Sequence, residues 1–244
     1  MSQVEWTVEH LDAVDSTNTW LANRAREGAT GPWCTYADYQ SAGRGRRGRE
    51  WVGPPRSSLL CSVLLDVPAA LEGPQWLVSL AALAMAETLA QVCGVRPTLK
   101  WPNDLMFDDR KVAGILAEVV AHQVVIGLGL NLDSVDPALA RATSVRAATG
   151  VTLTPDAVLT PYLDAVARRY DALGSATGRA ALRSDFIAHL DTLGRRVRVE
   201  RTHDVVVGRA TGVDELGSLQ IDTGGDITVV TAGDVVHLRG EEEQ

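Results

Sequence analysis

Residues 40–51 read Gln-Ser-Ala-Gly-Arg-Gly-Arg-Arg-Gly-Arg-Glu-Trp, and four arginines fall within six residues, from Arg44 to Arg49. Glycine inside a helix or strand costs backbone entropy, and clustered like charges repel, so this stretch is predicted to be a loop. Arginine presents a fork of N–H donors that suits phosphate and carboxylate oxygens, and glycine lets the backbone approach a ligand closely. The pattern indicates a mobile clamp for an anion, followed by an aromatic ring, Trp51. A solvated basic loop or a nucleic-acid patch is the alternative that this stretch alone leaves open.

The composition of the whole chain favours a small anion over a nucleic acid. The chain has 244 residues, enough for one large domain or for one domain with a small second one. Its formal net charge is −8, whereas a general nucleic-acid binder carries a broad basic surface. The three cysteines are far apart, which fits neither a disulfide framework nor a zinc site. A signal-peptide pattern and an unbroken apolar span are both missing, so a cytoplasmic protein without membrane contact is expected.

Hydrophobic periodicity predicts an α/β or α+β fold in the first part of the chain, with a mixed or antiparallel sheet covered by helices. Strand patterns occur at 4–14, 33–39, 58–67, 98–101, 111–120 and 123–132, and helical patterns after 15–16 and at 73–93, 154–173 and 179–190. Residues 133–150 are predicted to be a loop. From residue 195 onward, five short alternating segments separated by turns predict a small barrel-like β module. The predicted domains are residues 1–191 and 192–240.

Three further features allow two interpretations each. The segment Asp15-Ser16-Thr17-Asn18 precedes a helical pattern, so it is either a helix cap or a helix N-terminus that faces a ligand. Lys111 lies in a strand pattern, where a lysine is either solvated or directed at a site. Gly127-Leu128-Gly129 lies inside a strand pattern, which it either weakens or opens to the close approach of a ligand.

Taken in order, these segments resemble the motifs of biotin–protein ligases. The matching segments are Asp15-Ser16-Thr17-Asn18, the whole stretch 40–51, Lys100-Trp101-Pro102-Asn103-Asp104, Lys111 with Gly114-Ile115-Leu116, and Gly127-Leu128-Gly129-Leu130-Asn131. The resemblance covers nearly the whole chain. It implies an α+β catalytic domain similar to class II aminoacyl-tRNA synthetases, with a mixed sheet and flanking helices. The C-terminal module resembles the SH3-like β-barrel of the same family.

The resemblance implies an enzyme that uses ATP and Mg²⁺ to convert biotin into biotinyl-5'-AMP. The enzyme then transfers biotin to one lysine of a biotin carboxyl carrier domain of an acyl-CoA or pyruvate carboxylase. Some members carry an N-terminal helix-turn-helix and bind operator DNA. Because the catalytic motifs begin almost at Met1, the sequence resembles the monofunctional type, and binding to operator DNA is not expected. A monomer or weak homodimer is expected.

The resemblance also implies a role for individual residues. The catalytic residues would be Lys111, Arg46 and Asp104, with Asp104 also the candidate Mg²⁺ ligand. Asp104 as a proton acceptor in the transfer step is a further hypothesis, and a plain turn residue is the alternative to both. The implied biotin-binding residues are Ser16, Thr17, Asn18, Gln40, Gly43, Arg44, Gly45, Arg46, Lys111, Gly114, Leu116 and Gly127. The implied ATP- or adenylate-binding residues are Arg44, Arg46, Arg47, Arg49, Trp51, Asn103, Lys111 and Asn131.

Two other functions compete with this interpretation. A lipoate–protein ligase has a similar fold and chemistry, and the arginine-rich loop is the feature that favours biotin over lipoate. A nucleic-acid-binding protein would use the same loop to contact phosphates, and the acidic composition argues against it.

Overall fold

The computed structural model of the chain describes residues 4–71, 73 and 75–238. In chain order the elements are β1 (Thr7–Leu11), α1 (Thr17–Arg26), β2 (Trp33–Ala37), β3 (Ser58–Asp66), α2 (Gln75–Cys93), β4 (Thr98–Lys100), β5 (Asp104–Phe107), β6 (Arg110–Val120), β7 (Gln123–Asn131), α3 (Val145–Thr149), α4 (Pro155–Ala172), α5 (Ala176–His189), β8 (Arg196–Glu200), β9 (Val205–Val213), β10 (Leu219–Asp222), β11 (Ile227–Val230) and β12 (Asp234–His237). Some residues of the predicted domains lie outside the described residues: 1–3, 72 and 74 of the first, with 74 inside the predicted helix 73–93, and 239–240 of the second.

A seven-stranded mixed sheet forms the larger part of the fold. Its strand order is β1-β2-β3-β7-β6-β5-β4, with β1 and β2 parallel and the other neighbours antiparallel. β3, which lies between β2 and β7, is buried at every position except its last residue, because it is packed against both α1 and α4. The prediction of a mixed sheet with flanking helices is confirmed.

The two faces of this sheet are covered differently. Helices α2 and α4 pack together over one face and enclose the main apolar core. By length and composition α2 is long and apolar enough to cross a membrane, but 67% of its apolar window is buried in this core. On the other face α1 covers only part of β3, β6 and β7, through contacts such as Leu21 with Leu64 and Val125. The rest of this second face is free to form a site.

The C-terminal sheet, β8 to β12, is antiparallel throughout with the order β11-β10-β9-β8-β12. Two buried indoles, one on α2 and one in the turn after β4, attach it to the larger part of the fold. Trp76 Nε1 donates to the carbonyl of Glu215 at 2.7 Å, and Trp101 Nε1 donates to the carbonyl of Gly217 at 3.0 Å. The five strands predicted after residue 195 are all present.

Two elements differ from the sequence-based expectations. β5 was not predicted, because its four residues follow the Pro102-Asn103 turn without enough length for a period-2 pattern. The segment 133–150, expected to be a loop, contains the short helix α3, whose N-cap Ser144 accepts a hydrogen bond from the Ala147 amide. β5 borders the cavity described next through Asp104 and Met106, and in the segment 133–150 the residues that border it are 139–142, before α3.

Candidate active site

The first turn of α1 forms the polar end of a cavity on the partly covered face of the sheet. Ser16 is the N-cap, with its hydroxyl oxygen 3.5 Å from the Thr19 amide, so the capping interpretation holds. Thr17 and Asn18 are also buried, and all three residues line the cavity, so the helix start faces a site as well. The oxygen Oε1 of Gln40 accepts from the Thr17 amide at 2.8 Å and lies 3.0 Å from the Thr17 hydroxyl.

The cavity has a volume of about 480 Å³ and brings together most of the residues expected from the sequence. Those that line it are Ser16, Thr17, Asn18, Gln40, Arg44, Gly45, Arg46, Arg49, Trp51, Asn103, Asp104, Lys111, Gly114, Leu116, Gly127 and Asn131. Gly43 and Arg47 do not line it. An added Cβ at Gly43 would lie 2.4 Å from the Trp51 carbonyl oxygen and 2.7 Å from Gln40 Nε2, so Gly43 makes room for neighbours that do line the cavity.

Three glycines on β6 and β7 each leave room for one side chain of the site. A Cβ on Gly127 would lie 1.9 Å from Asn18 Oδ1, and a Cβ on Gly129 would lie 2.4 Å from the Trp51 ring. A Cβ on Gly114 would lie 2.8 Å from the ammonium nitrogen of Lys111. Gly114 and Gly129 are directly opposite each other in the sheet. The ring of Trp51 therefore lies on a patch of bare backbone, which we call the glycine patch, Gly114 and Gly129.

Two cations are held on neighbouring residues of the turn that leads into β5. Arg46 donates to Asn103 Oδ1 at 3.1 Å, and the amide nitrogen Nδ2 of Asn103 donates to the Ile115 carbonyl at 2.7 Å. Lys111 Nζ lies 2.6 Å from Asp104 Oδ1 and 5.7 Å from the centre of the Trp51 ring. The loop and the strand thus direct a guanidinium and an ammonium to the same end of the cavity.

Lys100 adds a third cation, which the sequence motif contained without an assigned role. It lines the cavity, and burial lowers its pKa, with Arg141 and Lys111 acting in the same direction and Asp104 opposing them. Burial also lowers the pKa of Arg46, although that guanidinium stays charged at neutral pH. The chain has 23 basic side chains and only two of them, Lys100 and Lys111, are lysines. Both lysines lie in this cavity.

The arginine-rich stretch is a loop, as predicted, and it is folded as a small hairpin. Gly45 donates to the Arg49 carbonyl at 2.6 Å, and Trp51 donates to the Gly43 carbonyl at 2.8 Å. At its tip, Arg47 has a positive φ of 57° within a short 3₁₀ turn, Arg46–Gly48. The backbone is therefore closed on itself over the cavity.

The side chains of the loop reach both ends of the cavity mouth. Arg44 pairs with Glu118 of β6 at 3.0 Å. Arg47 and Arg49 pair with Asp234 of the C-terminal sheet at 3.3 Å and 2.8 Å, and Arg47 also donates to the Glu200 carbonyl at 3.0 Å. The C-terminal sheet thereby fixes the outer side of the loop.

The segment 139–142 also lines the cavity, and no sequence motif predicted that it would. It is bonded to the backbone of Lys111, whose amide donates to the Arg141 carbonyl and whose carbonyl accepts from the Thr143 amide, both at 2.8 Å. Asn131 Nδ2 donates to the Thr143 carbonyl at 3.0 Å. Asn131, expected to contact the nucleotide, is thus also a support for the strand that carries Lys111.

Comparison with known proteins identifies the family of this chain. Residues 11–131 match the model of the biotin/lipoate A/B protein ligase family, and residues 192–238 match the biotin protein ligase C-terminal domain. The chain is 39% identical over 236 residues to a biotin–[acetyl-CoA-carboxylase] ligase of Mycobacterium tuberculosis, covering 92% of this chain and 86% of that protein. The chain belongs to the biotin/lipoate A/B protein ligase family.

Other members of the family agree with this assignment. A biotin–[acetyl-CoA-carboxylase] ligase of Paracoccus denitrificans is 33% identical over 238 residues, covering 92% of this chain and 98% of that protein. The solved biotin protein ligase of Aquifex aeolicus, in complex with biotin and ATP, superposes with a TM-score of 0.83 at 26% identity. That comparison covers 96% of this chain and 99% of the Aquifex protein.

Proposed function

We propose that this chain is an ATP-dependent biotin–protein ligase. It joins biotin and ATP to form biotinyl-5'-AMP and pyrophosphate, and it then transfers biotin to a lysine of a carrier domain. The family supports this reaction, and so do the relatives that are named biotin ligases and match this chain over most of their length. The observation that carries the proposal is the placement of Arg46 and Lys111 at one end of a single cavity. The other end is neutral and polar, and we call it the polar floor; it consists of Ser16, Thr17, Asn18 and Gln40.

The first step needs positioning and positive charge more than it needs acid or base. The carboxyl group of biotin resembles a Glu side chain, with a pKa of about 4.3, so it is ionised at neutral pH and can attack phosphorus directly. One of its oxygens bonds to the α-phosphorus of ATP, and the bond from that phosphorus to pyrophosphate breaks. Two unit charges 4 Å apart repel by about 4 kcal/mol at an effective dielectric constant near 20. Arg46, Lys111 and Lys100 would offset that repulsion and stabilise the charge on the transferring phosphate.

The carboxylates of the cavity fit a Mg²⁺ ion that accompanies ATP. Mg²⁺ in nucleotide sites is held by one or two carboxylates together with phosphate oxygens. Asp104 and Asp109 both line the cavity, at the end where the cations lie, and would supply such carboxylates. When bound, the ion would neutralise phosphate charge, while the side chains above hold the two reactants in place.

The transfer step requires an uncharged lysine from the acceptor. A lysine with a pKa of about 10.4 is only roughly 0.04% neutral at pH 7. Asp104 is the carboxylate beside the phosphate end, and its partner in the structure is Lys111. Proton acceptor and metal ligand are the two chemical roles open to Asp104, and a turn residue without either role is the alternative. The variant Asp104→Asn separates these roles. If Asp104 is the proton acceptor, the variant should form the adenylate normally but lose transfer. If it is a metal ligand, the variant should lose adenylate formation at ordinary Mg²⁺ and recover it at high Mg²⁺, and a variant with both steps normal excludes both roles.

Several finer assignments belong to the same proposal. The acceptor would be the biotin carboxyl carrier domain of an acyl-CoA or pyruvate carboxylase, in the cytoplasm, with the enzyme as a monomer or weak homodimer that does not bind operator DNA. The catalytic part would be residues 1–191 and the SH3-like part 192–240. Gel filtration, an operator-binding assay and limited proteolysis test these points separately.

Biotin-dependent exchange between ATP and labelled pyrophosphate is the experiment that tests the proposed reaction. The wild type should catalyse exchange with biotin and far less with lipoate, and Lys111→Ala should lower the exchange rate at least a hundredfold. Arg24→Ala, which removes a cation of α1 that does not line the cavity, is the matched control and should keep full activity. Exchange that depends on lipoate, or salt-sensitive retention on DNA without exchange, would support the two competing functions instead.

A further inference from the structure

A fully buried serine lies behind the polar floor of the cavity and contacts two of its residues. Ser62 is on β3, has no exposed surface and does not line the cavity. Its hydroxyl oxygen lies 2.6 Å from Asn18 Oδ1 and 2.8 Å from the hydroxyl oxygen of Thr17. β3 reads Ser-Leu-Leu-Cys-Ser-Val-Leu-Leu-Asp. Between its two end residues every side chain is apolar except those of Cys61 and Ser62.

The sheet register explains why one serine can control Asn18. Ser62 of β3, Gly127 of β7 and Leu116 of β6 are successive partners across three strands. The Asn18 side chain lies across this row: Oδ1 contacts Ser62, and Nδ2 donates to the Leu116 carbonyl at 3.2 Å and to Glu118 at 3.3 Å. Because Gly127 has no side chain, the amide of Asn18 fits against the sheet.

The hydrogen-bond roles in this network are determined by chemistry. An amide oxygen can only accept, so the single hydroxyl proton of Ser62 goes to Asn18 Oδ1. Both neighbours of Nδ2, the Leu116 carbonyl and the Glu118 carboxylate, also only accept, so the amide has one consistent orientation. The hydroxyl of Thr17 then donates to Ser62 or to Gln40, whose Oε1 lies 3.0 Å away. Ser62 therefore fixes the donors and acceptors that the floor presents.

We propose that Ser62 is a positioning residue for recognition of the polar ring of biotin, acting through Asn18 and Thr17. The inference rests on the proposed function. The ring of biotin is a cyclic urea with two N–H donors and one carbonyl acceptor, so it requires a floor whose polar atoms have fixed directions. Without the Ser62 hydroxyl, Asn18 Oδ1 would be a buried acceptor without a donor, and the amide would reorient to find one.

Steady-state kinetics of biotin-dependent pyrophosphate exchange tests this role. Ser62→Ala should raise the KM for biotin by about tenfold, the size expected when one buried hydrogen bond leaves its partner unsatisfied. The KM for ATP and the rate at saturating biotin should stay within about twofold of the wild type. The matched control is Thr35→Val: Thr35 is the cross-strand partner of Ser62 on β2, is equally buried, and its hydroxyl has no hydrogen-bond partner among the described residues. It should leave both KM values unchanged.

A double variant separates positioning from a general structural role. In an Asn18→Ala background, Ser62→Ala should raise the KM for biotin by clearly less than the tenfold of the single variant, since Asn18, one of the two residues through which it acts, is gone. If Ser62→Ala does not yield folded protein, Ser62→Cys keeps a weak donor at similar size and should give a smaller rise in the same KM.

The possible failures are distinguishable. An unchanged KM for biotin in Ser62→Ala, an equal rise in both KM values, or full additivity with Asn18→Ala would overturn this inference while the wild type still exchanges pyrophosphate. Absence of biotin-dependent exchange in the wild type would overturn the proposed function, and this inference with it.

Discussion

Replacing Gly127 or Gly129 by alanine should have different effects, because each glycine leaves room for a different part of the site. In Gly127→Ala the new Cβ would lie 1.9 Å from Asn18 Oδ1, so the amide must move by more than 1 Å to reach ordinary contact distance. The variant then loses the bonds from Asn18 to Ser62 and to the Leu116 carbonyl, each about 1 kcal/mol with some added cost for unpaired atoms. Alanine in a strand returns about 0.5–1 kcal/mol relative to glycine, so the net loss is about 1–3 kcal/mol.

Gly129→Ala should behave differently, because its Cβ would meet a ring rather than a hydrogen-bonded amide. The contact is with Trp51 at 2.4 Å, and Trp51 is in the loop, with an indole N–H that has no hydrogen-bond partner in the described part of the chain. Moving the ring breaks no side-chain hydrogen bond, and the loss of apolar contact is partly offset by the gain from removing a strand glycine. The net change in stability is expected within about 1 kcal/mol, or about 4 °C in Tm.

Thermal unfolding and exchange kinetics distinguish the two variants. Gly127→Ala should lower Tm by about 2–12 °C and raise the KM for biotin. Gly129→Ala should leave Tm and the KM for biotin near wild type and raise the KM for ATP, since the displaced Trp51 ring lies beside Lys111. The reasoning is refuted if both variants raise the same KM to the same extent, or if Gly129→Ala is the less stable of the two.

Three other perturbations test separate parts of the structure. Arg46→Gly removes the guanidinium that Asn103 holds over the cavity, so biotinyl-5'-AMP should escape and label lysines of a bystander protein; bystander labelling at the wild-type level, measured by streptavidin blot, would contradict this. Asp234→Asn removes the ion pairs of Arg47 and Arg49. Both arginines are partly exposed, so the unfolding free energy should change by less than about 1 kcal/mol, while protease cleavage at residues 44–49 becomes several-fold faster. An unchanged cleavage rate would show that the pairs do not hold the loop. His237 is half-buried, and burial lowers its pKa to about 4. Lys100 and Arg195 also lower this pKa, whereas Asp191 and Asp109 raise it. As the pH falls below about 6.5, the imidazole of the unfolded chain is therefore protonated before that of the folded chain. The contribution of neutral His237 to stability should be complete above that pH. Between pH 7 and pH 4, the free energy of urea unfolding should fall by about 3 kcal/mol more in the wild type than in His237→Gln, and equal decreases would refute the assignment.

Local sequence patterns predicted most of the elements, and they marked the arginine-rich loop, the helix start at Ser16 and Lys111 as features that could face a ligand. The arginine-rich loop was predictable because its composition excludes a helix or strand, and the helix after Ser16 because its capping residues are specific. The identity of the ligand did not come from these patterns: it came from the resemblance of the motifs to a known family. The roles of the site residues, individually, stay predictions.

The remaining features depend on which residues become neighbours across the sheet. Ser62 reads as one polar residue in an apolar strand, and only the strand register places it beside Gly127 and under Asn18. The pairing of Arg47 and Arg49 with Asp234 joins residues more than 180 positions apart, and periodicity carries no information about such a contact. The same holds for the segment 139–142, which has no motif and is placed by its bonds to the backbone of Lys111.

The confinement of both lysines to the cavity affects how the protein can be handled. Amine-selective reagents, such as crosslinkers or activated supports, would find Lys100 and Lys111 as their only side-chain targets. Coupling at these amines would block the cavity, so attachment through carboxylates would be the better choice. For the same reason, activated biotin released by the protein would find few amines on the protein itself to modify. A fusion protein that contains this chain would therefore tag neighbouring molecules in preference to the chain.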